Sequence, residues 1–337
     1  MRNKKVTLKR IADRLGMTPA TISKALRDSS DISLKTKETV KRIADEMGYH
    51  PNIMARSLVR RQSYMLGVIV PDLRISFFSE AVRGIYERCR MRGYEAIIMA
   101  NDDDIETEKR NLQFLSSLPV DGILINAAPG TDNNGLLKSI HDQGIPFVAY
   151  DRLIDEFDTS SVTIDDEAMA FRVVEYFVQN GRRNIVFLGP VDQPSVARDR
   201  YRGYLRGLKE FGIGHIPEWT ASCRIEIEDA NRVMGVLLDS GLQPDAVLCV
   251  GGLIAYGGGR AILQRQLRIP EDILLAEFGD NDIVARLGVP FVTVNQSPYE
   301  MGNQAVDLLL EEMAHKSKPN PLRHIIIEGK LIFRTLH

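Results

Sequence analysis

The sequence predicts an α/β protein in two unequal parts. A small N-terminal bundle of three helices precedes a large body of two successive doubly wound units with parallel sheets. Three observations predict this. Residues 1–61 hold 15 Lys/Arg against 6 Asp/Glu, while the remainder holds 28 basic and 39 acidic residues, so the net charge of −2 conceals two opposed parts. The first fifty residues place apolar side chains at helical spacing between capping residues. From Leu66 onward, short apolar runs alternate with helical segments, the pattern of βα units.

In the N-terminal part, Leu8, Ile11, Ala12 and Leu15 form the i, i+3, i+4, i+7 stripe of an amphipathic helix, with Thr7 as its cap and Gly16 as its stop. Thr18-Pro19 starts a second helix, a capping hydroxyl followed by a proline whose missing N–H costs nothing at that position. Ile22, Ala25 and Leu26 give this helix a buried side, and Thr21, Ser23 and Lys24 fall on the other. A third helix runs from Ser33 to Gly48 with Val40, Ile43, Ala44 and Met47 on one face. Two helices joined by a tight turn within about twenty residues make the helix-turn-helix layout. On a basic module, that layout points to a polyanion partner.

The segment V-T-L-K-R-I-A-D-R-L-G-M-T-P-A-T-I-S-K-A-L resembles the headpiece of the lac-repressor (LacI/GalR) family, and D-I-S-L-K-T-K-E-T-V and G-Y-H-P-N-I-M-A-R-S-L extend the match over some sixty residues. The resemblance implies a transcription regulator, usually a repressor, bound to a double-stranded DNA operator with its second helix in the major groove. Thr18, Pro19 and Ala20 would face base edges, with Thr21, Ser23 and Lys24 behind them. Pro19 and Ala20 offer apolar contact only, and Lys24 lacks the planar fork of the arginine common there. Thr7, Leu8, Thr36 and Tyr49 complete the DNA-facing set, with Thr7, Thr36 and Tyr49 expected on phosphates. Beyond Pro51, Asn52 can cap a helix of about two turns, too short to be stable alone. In the family this hinge folds on DNA, and Asn52, Ala55, Arg56 and Leu58 fall in register with it, Leu58 at the place of a minor-groove wedge.

In the body, Leu66–Val70, Ala96–Ala100, Gly122–Ile125 and Pro146–Tyr150 read as strands separated by helices near 78–92, 105–117 and 133–143. The pattern restarts with Val162–Ile164, a helix at 168–180, Ile185–Leu188, a helix at 198–211, Ala246–Val250, a helix at 253–266, and Ile273–Glu277. V-I-V-P-D, F-F-S-E-A-V-R-G-I, V-D-G-I-L-I and T-V-N-Q-S-P-Y-E-M-G carry the resemblance into this region, implying a two-lobed, periplasmic-binding-protein-like body. The expected organisation is a headpiece at 1–50, a hinge at 51–64 and an effector and dimerisation domain at 65–337. Within that domain, one lobe is expected at 65–161 with 293–321 and the other at 162–292 with 322–337. The resemblance also implies a homodimer on a pseudo-palindromic site, and the helix face with Phe78, Ala81, Val82 and Ile85 is the candidate dimer surface.

Ligands of such folds bind beyond the carboxyl ends of the strands. The expected ligand set is Phe77, Phe78, Asp151, Arg152, Arg200 and Asp280. One of the two phenylalanines is assigned to core packing. Asp151 and Arg152 can bind hydroxyls or pair with each other. Arg200 sits where the family keeps its ligand-binding arginine. Two departures bear on the ligand. Gly251-Gly252 stands where most members have Asn-Asp, and the usual Gly-Phe-Asp stretch reads Glu277-Phe278-Gly279-Asp280. A sugar or related metabolite is the family's kind of effector. Loss of that carboxylate leaves open a ligand held by Glu277 or Asp280, a protein partner, or no effector.

Other classes are not favoured. The six histidines have no metal-ligand spacing with each other or with Cys89, Cys223 or Cys249, so no metal, cofactor or disulfide is expected. Gly257-Gly258-Gly259 falls within a helical segment, which is not where a phosphate loop lies, and Gly-X-Ser-X-Gly is absent. Asp102-Asp103-Asp104 reads as a solvated acidic loop. No window approaches twenty apolar residues, so no membrane span is expected. Met1-Arg2-Asn3-Lys4-Lys5 leads into polar helical sequence, not an apolar run, which points to a cytoplasmic protein rather than an exported solute-binding one.

Overall fold

The structure, a computed structural model, describes residues 6–49, 62–279, 282–314 and 321–335. Its contacts divide the chain into two compact units, before and after Ser63–Tyr64.

The first unit is three helices, α1 (Leu8–Leu15), α2 (Pro19–Leu26) and α3 (Leu34–Glu46). Each begins on the hydroxyl the sequence supplies: Thr7 accepts from the Arg10 N–H, Thr18 from Thr21 and Ser33 from Thr36. Gly16 ends α1 in the left-handed region at φ 64°, where only glycine is unstrained. Ile11, Ala12, Ile22, Ala25, Val40, Ile43 and Ala44 close one core. Helices of eight residues have little stability of their own, so this shared core is what holds them.

The second unit holds two six-stranded sheets. The first contains β1 (Met65–Val70), β2 (Glu95–Ala100), β3 (Gly122–Ile125), β4 (Phe147–Tyr150) and β5 (Ser160–Ile164). The helices that follow its first three strands are α4 (Ser76–Met91), α5 (Ile105–Ser117) and α6 (Asn134–Asp142). Strands buried on both sides read as unbroken apolar runs, which is why β1 is Met-Leu-Gly-Val-Ile-Val. Leu66, Val68 and Val70 point to the core shared with α4, and Ile69 points to the opposite core with Leu112 and Leu115 of α5.

The second sheet contains β6 (Ile185–Leu188), β7 (Thr220–Ala221), β8 (Ala246–Cys249), β9 (Leu274–Phe278) and β10 (Phe291–Asn295). Its helices are α7 (Asp166–Gln179), α8 (Ser195–Glu210), α9 (Ile227–Asp239), α10 (Gly252–Gln264) and the short α11 (Asp282–Ala285). After β10 the chain forms α12 (Pro298–Ala314), then β11 (His324–Ile327) and β12 (Lys330–Arg334). The sheet orders are β11-β5-β4-β3-β1-β2 and β12-β10-β9-β8-β6-β7. Every pairing is parallel except that of β12 with β10.

This topology corrects the expected lobe boundaries. Val162–Ile164 does not open the second lobe; β5 pairs with β4 in the first sheet. β10 completes the second sheet before the chain returns, so the return falls after Asn295, not at 293. The last segment is split, since β11 joins β5 in the first sheet and β12 joins β10 in the second. A run such as Val-Thr-Ile carries no mark of which sheet it will join. The chain therefore passes between lobes three times, after β5, β10 and β11.

The expected dimer surface is also corrected. Phe78, Ala81, Val82 and Ile85 are all buried in the protein's own core, where α4 packs against α12. They form the inward stripe of an amphipathic helix. Tyr86 and Met91, on the other side of α4, are the exposed apolar residues.

The glycine run lies inside α10, as expected. A Cβ at Gly257 would stand 2.3 Å from the Ile227 carbonyl oxygen, so bare backbone is what lets α9 and α10 approach. All three cysteines are buried free thiols, and burial pushes Cys89 and Cys223 up to about 12. Among the described residues, no group of His, Cys, Asp and Glu could hold a metal, and no helix is long and apolar enough to cross a membrane.

Candidate nucleic-acid interface and ligand cleft

On the first unit, the leading end of α2 is bare. Thr18, Pro19, Ala20 and Lys24 are exposed, while Thr21 and Ser23 are half-buried. The Thr18 and Thr21 hydroxyls lie 2.9 Å apart, and Lys24 Nζ donates to Asp31 at 2.6 Å. That ion pair is about half exposed on both sides and contributes little, so exchanging Asp31 for another acceptor costs little. Thr7 is exposed, Thr36 shares a hydrogen bond with Ser33 at 2.8 Å, and Leu8 and Tyr49 pack on the module's core. Asn52, Ala55, Arg56 and Leu58 lie outside the described residues, as does Asp280.

In the second unit, the carboxyl ends of both sheets face a cleft lined by Phe77, Phe78, Asp151, Arg152 and Arg200. Five of the six residues expected around a ligand thus lie together. Their partners differ from those foreseen. Both phenylalanines are buried and both line the cleft, their rings edge to face with centroids 5.2 Å apart. Asp151 and Arg152 do not pair with each other. Arg152 donates to Asp103 and to the Ala127 carbonyl, and its guanidinium lies 5.6 Å from the Phe78 ring centre. Asp151 adopts a left-handed φ of 63° and accepts from the Asn126 amide at 3.1 Å. Burial pushes its carboxyl above the ordinary range, with Arg152, Arg200 and Asn126 pulling the other way.

Arg200, 5% exposed, donates to Asp166 at 2.7 Å, to the Val250 carbonyl at 2.6 Å and to Gln296 at 3.0 Å. Its guanidinium lies 4.0 Å from the Phe278 ring centre. Asp166 and Gln296 follow directly on two of the three passages between lobes. Arg200 therefore fastens the ends of the second sheet to the crossing segments. Burial pushes Asp166 up to about 7, even with Arg200 beside it.

Sequence reasoning missed Asp166, Gln296, Asn126 and Asp103. Asp102, Asp103 and Asp104 are exposed, as expected of an acidic loop, but two of them also have structural partners: Asp104 caps α5, and Asp103 pairs with Arg152 at the cleft. Asp166, acidic and just after a strand, carried a signal that could have been followed; nothing in Q-S-P singles out Gln296. Glu277 is not a cleft group. It is fully buried on β9, where Thr293 donates to it at 2.5 Å. The wall around Gly251 is open, the nearest atom to a Cβ there being the Phe278 carbonyl oxygen at 4.0 Å. A Cβ at Gly251 would meet nothing closer among the described residues, so contacts at that atom do not require glycine.

A basic helix-turn-helix module followed by a two-lobed body with a cleft at its strand ends defines a DNA-binding transcription regulator with a ligand-binding domain. Residues 7–52 match the family described as bacterial regulatory proteins, lacI family, and residues 63–334 match periplasmic binding proteins and sugar binding domain of LacI family. The chain belongs to the LacI family. The HTH-type transcriptional regulator RegA of Clostridium saccharobutylicum is 29% identical over 97% of this chain and 98% of that protein. The HTH-type transcriptional repressor PurR of Pasteurella multocida (strain Pm70) is 28% identical over 93% of each. Among solved structures, the lac repressor dimer bound to operator and the anti-inducer ONPF matches with a TM-score of 0.84 and 25% identity over 98% of both chains. A transcriptional regulator CelR–cellobiose complex matches in fold, with a TM-score of 0.73 and 22% identity over 97% of this chain and 98% of that one. These relatives are regulators.

Proposed function

We propose that the protein is a transcription repressor that binds a pseudo-palindromic operator as a homodimer, with a small molecule in the inter-lobe cleft setting operator affinity. The exposed N-terminal end of α2 on a basic module carries this reading, because that end is what a helix-turn-helix presents to base edges. PurR relatives that are repressors, and a lac repressor dimer bound to its operator, support repression and dimerisation. Thr18, Pro19, Ala20 and Lys24 read bases. Thr7, Thr36 and Tyr49 contact phosphates, and the hinge residues Asn52, Ala55, Arg56 and Leu58 enter the minor groove. Dimer contacts use the exposed side of α4 around Tyr86 and Met91. A protein that acts on chromosomal DNA works in the cytoplasm.

Selection of bound genomic fragments should return a two-fold symmetric sequence. Lys24→Ala should weaken binding to that sequence more than binding to random DNA, by about 1–3 kcal/mol. Equal losses on both DNAs would reduce Lys24 to a phosphate contact. Leu58→Ala should reduce the operator bend seen by circular permutation; an unchanged bend removes the wedge.

A further inference from the structure

A polyhydroxylated ligand needs a donor or acceptor for each hydroxyl. In this cleft most polar groups are already engaged. Arg200 uses all three of its nitrogens on Asp166, Val250 and Gln296; Arg152 donates through Nη1 to Asp103 and the Ala127 carbonyl, and its buried Nε is left without a partner among the described residues. The second lobe contributes glycine at 251, 252 and 279 and the apolar side chains Ile225, Leu253 and Ile254. Asp151 stands apart. It is 6% exposed, and one carboxylate oxygen accepts from Asn126. The other accepts no hydrogen bond among the described residues, and no Lys or Arg lies within ion-pair distance of either.

A buried carboxylate without an ion-pair partner is costly. Arg152 and Arg200 act on Asp151 only from a distance, and each is hydrogen-bonded to a carboxyl of its own, Asp103 or Asp166. A hydroxyl would satisfy the open oxygen but leave its charge uncompensated. An ammonium would do both, through a charge-assisted hydrogen bond.

We propose that the cleft takes a small, mainly apolar molecule carrying one protonated amine, with the ammonium on Asp151 and the hydrocarbon against Phe77, Phe78, Ile225 and Leu253. This rests on the reading of the cleft as the effector site. The test uses the full chain, with calorimetry for binding and fluorescence anisotropy for operator affinity in the same samples. The probes are phenethylamine and cyclohexylmethylamine, the matching alcohols phenethyl alcohol and cyclohexylmethanol, and cellobiose. The amines should bind at least about tenfold more tightly than their alcohols, since both can hydrogen-bond the carboxylate but only the ammonium compensates its buried charge. Asp151→Asn, which keeps the shape and the Asn126 contact, should remove that preference without lowering the melting temperature. Alcohols equal to amines, an amine preference surviving in Asp151→Asn, or no amine binding at all would each overturn the proposal. Cellobiose that outbinds the amines and shifts operator affinity would overturn it while leaving the effector reading intact. Amines that bind through Asp151 without moving operator affinity would uphold the ligand class and sink the effector reading.

Discussion

Arg200 and Asp166 are the residues whose roles changed most between sequence and structure. A buried ion pair contributes little net stability compared with a well-packed apolar substitute, but removing one member strands the other. Arg200→Ala leaves Asp166 buried and unpaired, and at pH 8 it should destabilise the second unit by about 3–5 kcal/mol, read from urea unfolding. The pH dependence has a definite sign. Asp166 is pushed from 3.8 to about 7 on folding, so its contribution is fully present below 3.8 and is lost as pH rises through about 7. The Arg200→Ala defect should therefore shrink between pH 8 and pH 5, as the stranded carboxyl takes up a proton. Asp166→Asn should flatten the decline in stability across the same interval. A defect independent of pH would mean that Asp166 is ionised and solvated. Arg200 was legible as a cleft residue from its place on the helix after Leu188. Its partners were not, because hydrogen bonds spanning 34, 50 and 96 residues leave no local pattern.

The elements themselves were largely legible. Caps, the 3.6-residue stripe and apolar runs with β-branched residues are local, and they placed α1, α2, α3 and α10 and strands β1, β3 and β6 within a residue or two. Partnership was not local: β5, β11 and β12 are short runs whose sheet is decided by the three lobe passages. The outward and inward faces of α4 were also exchanged, since an apolar stripe serves a dimer and a core equally well. Glycine at 257 shows tertiary context overriding propensity. In an exposed helix, Gly→Ala gains roughly 1 kcal/mol. In α10 the added methyl would meet the Ile227 carbonyl oxygen at 2.3 Å and the Ala230 Cβ at 2.9 Å, both on α9 or at its start. Gly257→Ala should therefore destabilise by about 1–3 kcal/mol through overpacking, seen as a lower urea midpoint. A gain in stability would show that α9 can move away without cost.

At the scale of the whole molecule, charge is segregated. The basic excess lies in residues 1–61, and the acidic excess in the body that carries the cleft. DNA attracts the first and repels the second, so an encounter is oriented before any base is read, and non-specific affinity comes from the headpiece. A single module with two short helices and one shared core offers few base contacts. In the proposed homodimer, operator specificity then depends on two modules held at a fixed separation. Two-fold related recognition helices address half-sites about 34–36 Å apart, or multiples of that, on one face of the duplex. Inserting five base pairs between the half-sites moves them by about 17 Å and turns one to the opposite face. Affinity should fall toward the non-specific level, a loss of about 10³-fold or more, measured by anisotropy at fixed salt because the electrostatic share changes with ionic strength. The residual binding should stay steeply salt-dependent, since phosphate contacts survive when the register is lost. If affinity is unchanged by the insertion, one headpiece reads one half-site, and the homodimer is not the unit that recognises the operator.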